Sequence, residues 1–264
     1  MKRTLTAMAI GIASLLAPLA GQAHQIWFER DGSGITFRYG ELDVNMHEVS
    51  PGGLDRFKQL QATWLGARGE QPLALEKQRD RLTLPPGVKP APGDSFIAVD
   101  KQYPMFDTQR DGKALRTWWT PATRWIGDFS ARKPVLTLDV VPTGVKQEAG
   151  KVQFQVVYQG EPLAGQKLNV ATPAGWVRTV TSDTEGKFSV ALPWRGNYAI
   201  GLYFVDDVSG ERNNLDGKAE KYQLEGYNTA LSFYVARGLA PLPVADETLP
   251  ASVRAERGLP PIKH

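Results

Sequence analysis

Val152-Gln153-Phe154-Gln155-Val156-Val157-Tyr158 is followed by Gln159-Gly160-Glu161-Pro162-Leu163-Ala164-Gly165 and then by Lys167-Leu168-Asn169-Val170-Ala171. The first and third stretches alternate apolar with polar residues, as a strand with one buried face does, and the second contains the Gly and Pro of a turn. Further strand patterns follow at close, even spacing up to Val235. This pattern predicts an antiparallel β-sandwich over residues 150–236.

The residues before this unit also favour strands. Ile26-Trp27-Phe28-Glu29, a Gly-containing turn, and Ile35-Thr36-Phe37-Arg38-Tyr39 predict a hairpin. Residues 54–65 fit either one short helix or a strand and a loop. The tryptophans and other aromatic residues between Val99 and Trp125 are expected to pack in a core, because large rings dominate β cores.

Composition shifts divide the chain. A polar connection at residues 144–149 predicts a boundary, so we expect an all-β protein with an N-terminal β-sandwich-like domain at 24–143 and a second sandwich at 150–236. Residues 237–264 contain five prolines, which cannot sustain a ladder or a helix interior. We expect them to form an extended tail.

The first 23 residues have the layout of a secretory signal peptide. Met1-Lys2-Arg3 is basic, residues 5–19 are mostly apolar, and Ala20-Gly21-Gln22-Ala23 fits a small-residue cleavage site. The apolar run is shorter than the roughly 20 residues that a spanning helix needs. We therefore expect cleavage after Ala23, a periplasmic protein with no membrane span, and His24 as its first residue.

Charge and cysteine content exclude some classes of function. The formal net charge is +3, and cleavage would lower it by two because it removes Lys2 and Arg3 and no acidic residue. No Lys/Arg-rich block remains, so nucleic acid is not an expected partner. The chain has no cysteine, which excludes disulfides, thiolate metal ligands and a thiol nucleophile.

The second half resembles a known envelope module. Its Gly160-Glu161-Pro162-Leu163-Ala164-Gly165 and Ser182-Asp183-Thr184-Glu185-Gly186 turns are similar to those of Ig-like, transthyretin-like and carboxypeptidase-regulatory-like sandwiches. Together with Ala23-His24-Gln25-Ile26-Trp27-Phe28-Glu29, this order resembles the NikM-like family of periplasmic nickel or cobalt transport components. The resemblance implies two β domains, the second Ig-like, and the handling of a divalent metal ion.

Histidines are the candidate metal ligands, because tight transition-metal sites need nitrogen or sulfur donors. The chain has three, His24, His47 and His264. An N-terminal His24 would supply its amine and its ring nitrogen as a chelate. The loop after the second strand of the hairpin is expected to return His47 to the same end, so we predict one shared site. Nearby carboxylates are expected to complete that site or to orient its imidazoles; they are Glu41, Asp43 and Glu48.

The metal expected at this site is nickel, cobalt or copper, and the absence of a histidine-rich loop leaves zinc and iron open as well. The expected role is accessory, in uptake or handling of the ion, with a metal transporter of the inner or outer membrane as partner. No G-x-S-x-G, Walker or Rossmann pattern is present, and we expect no enzyme. The alternatives are a non-metal envelope interaction module of two β domains and a copper oxygenase.

Overall fold

The computed structural model describes residues 24–32, 34–146, 150–244 and 246–259. The predicted signal peptide, residues 1–23, and His264 lie outside them. The all-β class is confirmed, since helices account for 5% of the residues and strands for 54%. They are β1 (Gln25–Asp31), β2 (Gly34–Glu41), β3 (Met46–His47), β4 (Gln61–Gly66), β5 (Gly69–Leu73), β6 (Glu76–Lys77), β7 (Leu82–Thr83), β8 (Ser95–Val99), β9 (Phe106–Arg110), β10 (Lys113–Ile126), β11 (Leu138–Lys146), β12 (Lys151–Tyr158), β13 (Glu161–Pro162), β14 (Lys167–Ala171), β15 (Val177–Thr181), β16 (Lys187–Ala191), β17 (Gly196–Asp206), β18 (Gly210–Asn213), β19 (Ala219–Tyr222) and β20 (Leu224–Val235).

The predicted N-terminal hairpin is confirmed. Strands β1 and β2 pair antiparallel from Gln25 opposite Gly40 to Asp31 opposite Gly34. β3 and β7 pair with β2, and β6 pairs with β7, which makes a five-stranded sheet. The 54–65 stretch is the strand-and-loop alternative, because a 3₁₀ turn at Gly53–Arg56 precedes β4.

The nine-stranded sheet has the order β15-β14-β17-β20-β10-β8-β4-β5, with β9 paired to β10. β10 and β20 join its two parts by pairing in parallel, from Thr117 opposite Leu224 to Ile126 opposite Phe233. The first and second halves of the chain therefore contribute neighbouring strands to one sheet.

The boundary expected at residues 144–149 requires a correction. β11 pairs antiparallel with β12, from Leu138 opposite Tyr158 to Lys146 opposite Val152. Residues 144–146 are the end of β11, and residues 147–149 lie outside the described part, so the stretch expected to be a linker begins inside a strand that pairs with β12. β11 belongs by pairing to the second sandwich rather than to the first.

Two sandwiches share the long sheet. In the first, the β1–β2 sheet covers the β10-β8-β4 half, with Phe28, Phe37 and Phe96 in its core. In the second, β11, β12, β13 and β16 cover the β14-β17-β20 half, with Phe154 and Ile200 in its core. Trp119 and Trp125 are buried, as the aromatic pattern predicts.

A buried ion pair lies where the two sandwiches meet. The Arg124 guanidinium donates to both carboxylate oxygens of Asp139, at 3.1 and 2.5 Å, and the two side chains are 1% and 0% exposed. Asp139 also accepts the backbone N–H groups of Val135 and Leu136. These four hydrogen bonds to the carboxylate offset part of the cost of burying the pair.

The C-terminal tail lies against the body of the protein. Leu239 forms a bridge to Trp194 on the second sandwich, and Thr248 forms one to Met46 on the first. A short helix, α1 (Ala251–Glu256), follows. No helix in the described ranges combines the length and apolar character needed to cross a membrane.

Candidate metal centre

The register of the first sheet brings His24, Glu41 and Glu48 together. Gln25 is opposite Gly40 in the last pair of the β1–β2 ladder, so His24 and Glu41 are the next residues in that register. On the other side of β2, the Glu48 N–H donates to the Tyr39 carbonyl at 2.8 Å. Because side chains alternate between the faces of a strand, the side chains of these residues share one face of the sheet.

The imidazole of His24 lies between two carboxylates. Its Nδ1 is 3.1 Å from Oε1 of Glu41, and its Nε2 is 2.9 Å from Oε1 of Glu48. The His24 side chain is 31% exposed, whereas those of Glu41 and Glu48 are 6% and 12% exposed. Each nitrogen of this partly accessible ring therefore has a buried carboxylate as its partner.

These carboxylates change the acidity of the ring. Burial by itself lowers the pKa of His24, but the hydrogen bonds and charges of Glu41 and Glu48 outweigh it and raise that pKa to about 9. At neutral pH the metal-free ring is therefore an imidazolium that donates to both carboxylates. Two buried carboxylates thus hold a proton on the His24 ring.

Two glycines make room for this arrangement. Gly40 has φ +148°, and a Cβ there would lie 2.1 Å from the Met46 carbonyl oxygen. A Cβ on Gly53 would lie 2.3 Å from Oε2 of Glu48. The close approach of β3 to β2, and with it the position of Glu48, therefore depends on the absence of both side chains.

The inner side of the site is aromatic. The rings of His24 and Tyr39 meet edge to face with centroids 5.4 Å apart. The Tyr39 hydroxyl lies 3.1 Å from that of Tyr103, and burial is the largest cause of a raised pKa for Tyr39. Both rings belong to the core of the first sandwich, so the imidazole rests on a rigid base.

His47 faces the other side of the same sheet. It is opposite Gly40 and therefore alternates with Glu48. Its ring contacts that of Trp27 at 5.8 Å, and its Nδ1 is 3.1 Å from Oε1 of Glu247. The structure does not bring His24 and His47 together: among the residues described, no trio of His, Asp or Glu donors within 4.8 Å contains both. The predicted shared site thus divides into two separate clusters.

Asp43 lies apart from both clusters. It sits in the 3₁₀ turn Leu42–Val44 and borders a cleft of about 350 Å³ with Gln25 and Lys167. A wider cleft of about 1010 Å³, bordered by Arg30, Trp125 and a proline-rich loop, contains none of the predicted site residues. Neither cleft holds a histidine in its lining.

Two residues near His47 were missed by sequence reasoning. Donor atoms of His47, Asp80 and Glu247 all lie within 4.8 Å of one another. Burial, and then the charge of Arg38, lower the pKa of His47, so its ring is neutral at pH 7. Asp80 and Glu247 are 33 and 200 residues from His47 in the sequence, and no local motif connects them to it.

No protein-family model matches this chain, and no curated protein sequence matches it. The resemblance to the NikM-like family therefore stays an expectation that rests on the motifs quoted above.

Proposed function

We propose that the mature protein binds a divalent transition-metal ion at His24, with Glu41 as a second ligand and Glu48 as the residue that orients the imidazole. The observation that carries this proposal is the placement of two buried carboxylates on the two nitrogens of one partly exposed ring. Nitrogen and oxygen donors about 2.0–2.2 Å from a tetrahedral ion lie roughly 3.3 Å apart. The 3.1 Å separation of His24 Nδ1 and Glu41 Oε1 suits such a pair.

Each residue has a distinct part in this site. Nδ1 of His24 and a carboxylate oxygen of Glu41 bind the ion, while the Nε2–H group donates to Glu48. A carboxylate on the far nitrogen sets the tautomer of a metal-binding imidazole and raises its basicity. Cleavage after Ala23 would add the His24 amine as a third donor, in a chelate with its own ring. Two nitrogens and one oxygen suit copper and nickel, and also cobalt.

The proposed biological role is accessory to the uptake or handling of nickel, cobalt or copper in the periplasm. The signal-peptide pattern of residues 1–23 and the resemblance to the NikM-like family support that role. The partial exposure of His24 supports it too, because an ion that is passed to a membrane transporter must be reachable from outside the protein. We assign no catalytic step to the site.

Metal titration of the chain that begins at His24 tests the proposal. Calorimetry with Cu(II), Ni(II), Co(II) and Zn(II) is expected to show binding that His24→Ala abolishes at this site. Glu41→Gln is expected to weaken it at least tenfold, and Glu48→Gln by 10- to 100-fold, as second-layer partners of metal-bound histidines do. Glu70→Gln, an exposed substitution on β5, is the matched control and should change nothing.

Extension of the N-terminus by one residue distinguishes the contribution of the His24 amine to binding from that of the side chains. It converts the amine to an amide. The binding of Cu(II) and Ni(II) should weaken more than that of Zn(II), since the nitrogen-rich set of ligands suits copper and nickel. Unchanged binding by His24→Ala would overturn the proposal. Absence of binding to the unmodified chain would also overturn it and would favour the interaction module.

A further inference from the structure

The second cluster, on the opposite face of the sheet, consists of His47, Asp80 and Glu247. The His47 side chain is 9% exposed, that of Asp80 22% and that of Glu247 51%. Their donor atoms fall within 4.8 Å of one another, a span from which three ligands can close on one ion with small side-chain movements. One nitrogen and two carboxylate oxygens form a donor set that Zn(II), Co(II) and Ni(II) accept.

Arginines hold Asp80 in place beside His47. Arg38 pairs with the Asp80 carboxylate, and Arg81 donates to both of its oxygens at 3.0 Å. Each carboxylate oxygen has two lone pairs, so a ligand oxygen can accept from an arginine and bind an ion as well. Outer hydrogen bonds of this kind orient metal-binding carboxylates.

The charge around the cluster favours a dication. Arg38 also donates to Glu29 at 2.8 Å, and Arg81 pairs with Asp31. Counting Asp80 and Glu247 with these two, four carboxylates surround two guanidinium groups. The local sum is therefore −2, which a divalent cation would balance.

Glu247 belongs to the tail, and the tail is attached beside this cluster. The Thr248 N–H donates to the Asn45 carbonyl at 2.8 Å, and its hydroxyl donates to the Val44 carbonyl at 2.9 Å. Thr248 also bridges to Met46, the residue before His47. These bonds bring a carboxylate from the end of the chain to a histidine of the first sandwich.

We propose that His47, Asp80 and Glu247 form a second site for a divalent transition-metal ion, and that the bound ion fastens the C-terminal tail to the first sandwich. The site is separate from the one at His24, because neighbouring positions of β3 and its extension direct His47 and Glu48 to opposite faces. The inference does not need a free amine at His24.

The test uses the full mature chain with Zn(II) and Co(II) as probes, and compares His47→Ala, Glu247→Gln and Glu256→Gln. Glu256 lies in α1 of the same tail and is exposed, so its substitution changes the tail charge equally without touching the cluster. Calorimetry should find one ion fewer per chain in His47→Ala, and at least tenfold weaker binding at that site in Glu247→Gln. Glu256→Gln should match the unmodified chain. The exposed Glu247→Gln variant keeps the test decisive if His47→Ala fails to fold.

Hydrogen exchange supplies a second readout. Exchange of the Thr248 amide should slow on addition of Zn(II) in the unmodified chain and in His24→Ala, but not in Glu247→Gln. Zinc binding that Glu247→Gln leaves unaltered would overturn the second site. Loss of binding in His24→Ala alone would retain the proposed function and refute this inference, and loss in Glu247→Gln alone would do the reverse.

Discussion

Nδ1 of His24 and Oε1 of Glu41 lie 3.1 Å apart, and the two residues come directly after the last pair of the β1–β2 ladder, Gln25 opposite Gly40. That short distance between a ring nitrogen and a buried carboxylate results from backbone register rather than from a flexible loop. A site on paired strands keeps its donors in place without an ion, which lowers the conformational cost of binding.

The acidity of His24 in the metal-free protein is the first prediction. In a chain that retains Ala23, NMR should find an imidazole titration midpoint near 9, and Glu41→Gln or Glu48→Gln should move it toward 6.5. Because the folded pKa is raised, the ring's contribution to stability is complete below pH 6.5 and is lost as pH rises through about 9. The loss should be about 1–2 kcal/mol, reduced from the full linkage value by solvent screening.

His24→Gln is the control for that titration. Its free energy of unfolding should not show the decline between pH 6.5 and 9 that the unmodified metal-free chain shows. If the free energies of unfolding of the two proteins depend on pH in the same way, the claim that the two carboxylates raise the pKa of His24 is contradicted.

Gly40→Ala should destabilise the protein by about 2 kcal/mol or more, because it combines a positive φ with a clash against the Met46 carbonyl. Gly69→Ala is the matched control, since Gly69 has φ +86° but open space around its Cβ position. It should cost about 1 kcal/mol from backbone strain. Urea unfolding measures both, and equal losses would show that β3 does not depend on the close approach at Gly40.

Arg124→Met should cost about 3–5 kcal/mol, because it leaves the carboxylate of Asp139 buried without its charged partner. Arg110→Met removes the exposed partner of Asp207 and should leave the unfolding midpoint unchanged. Thermal unfolding compares the two variants. A small effect of Arg124→Met would mean that water reaches the junction of the sandwiches.

A segment that begins before β11 should fold better than residues 150–236. Leu138 and Val140 of β11 belong to the same core as Phe154, so the shorter segment lacks one strand of its sheet. Residues 134–236 should unfold cooperatively at a higher temperature than residues 150–236. Identical transitions would show that β11 is dispensable and would support the boundary expected from the sequence.

Local sequence patterns predicted the positions of many of the strands. The β1–β2 hairpin, β12 and the strands from β14 to β17 follow from alternation and turn residues that lie close in sequence, whereas β13 lies within the stretch predicted as a turn. The parallel pairing of β10 with β20 was not predictable in this way, because Thr117 and Leu224 are 107 residues apart and no turn connects them. Residues 144–149 suggested a linker because Gly144 and polar residues are typical of loops, whereas residues 144–146 belong to β11, which pairs with β12.

The site was predictable in part for the same reason. His24, Glu41 and Glu48 meet because of the β1–β2 hairpin, and the sequence predicted that hairpin correctly. His47 was expected to share the site of His24 because it returns to the same end of the hairpin, but alternation along the strand directs it to the face opposite Glu48. Glu247 reaches His47 through the fold of the tail, for which the sequence contains no local signal.

The most direct measurement of the central claim is anomalous diffraction from crystals of the chain that begins at His24, soaked with Ni(II), Cu(II) or Zn(II). Data at the absorption edge of the metal locate the ion without reference to the protein density. We predict a peak about 2.0–2.2 Å from Nδ1 of His24 and from a carboxylate oxygen of Glu41. The absence of an anomalous peak beside His24 in crystals soaked with saturating metal ion would contradict the account.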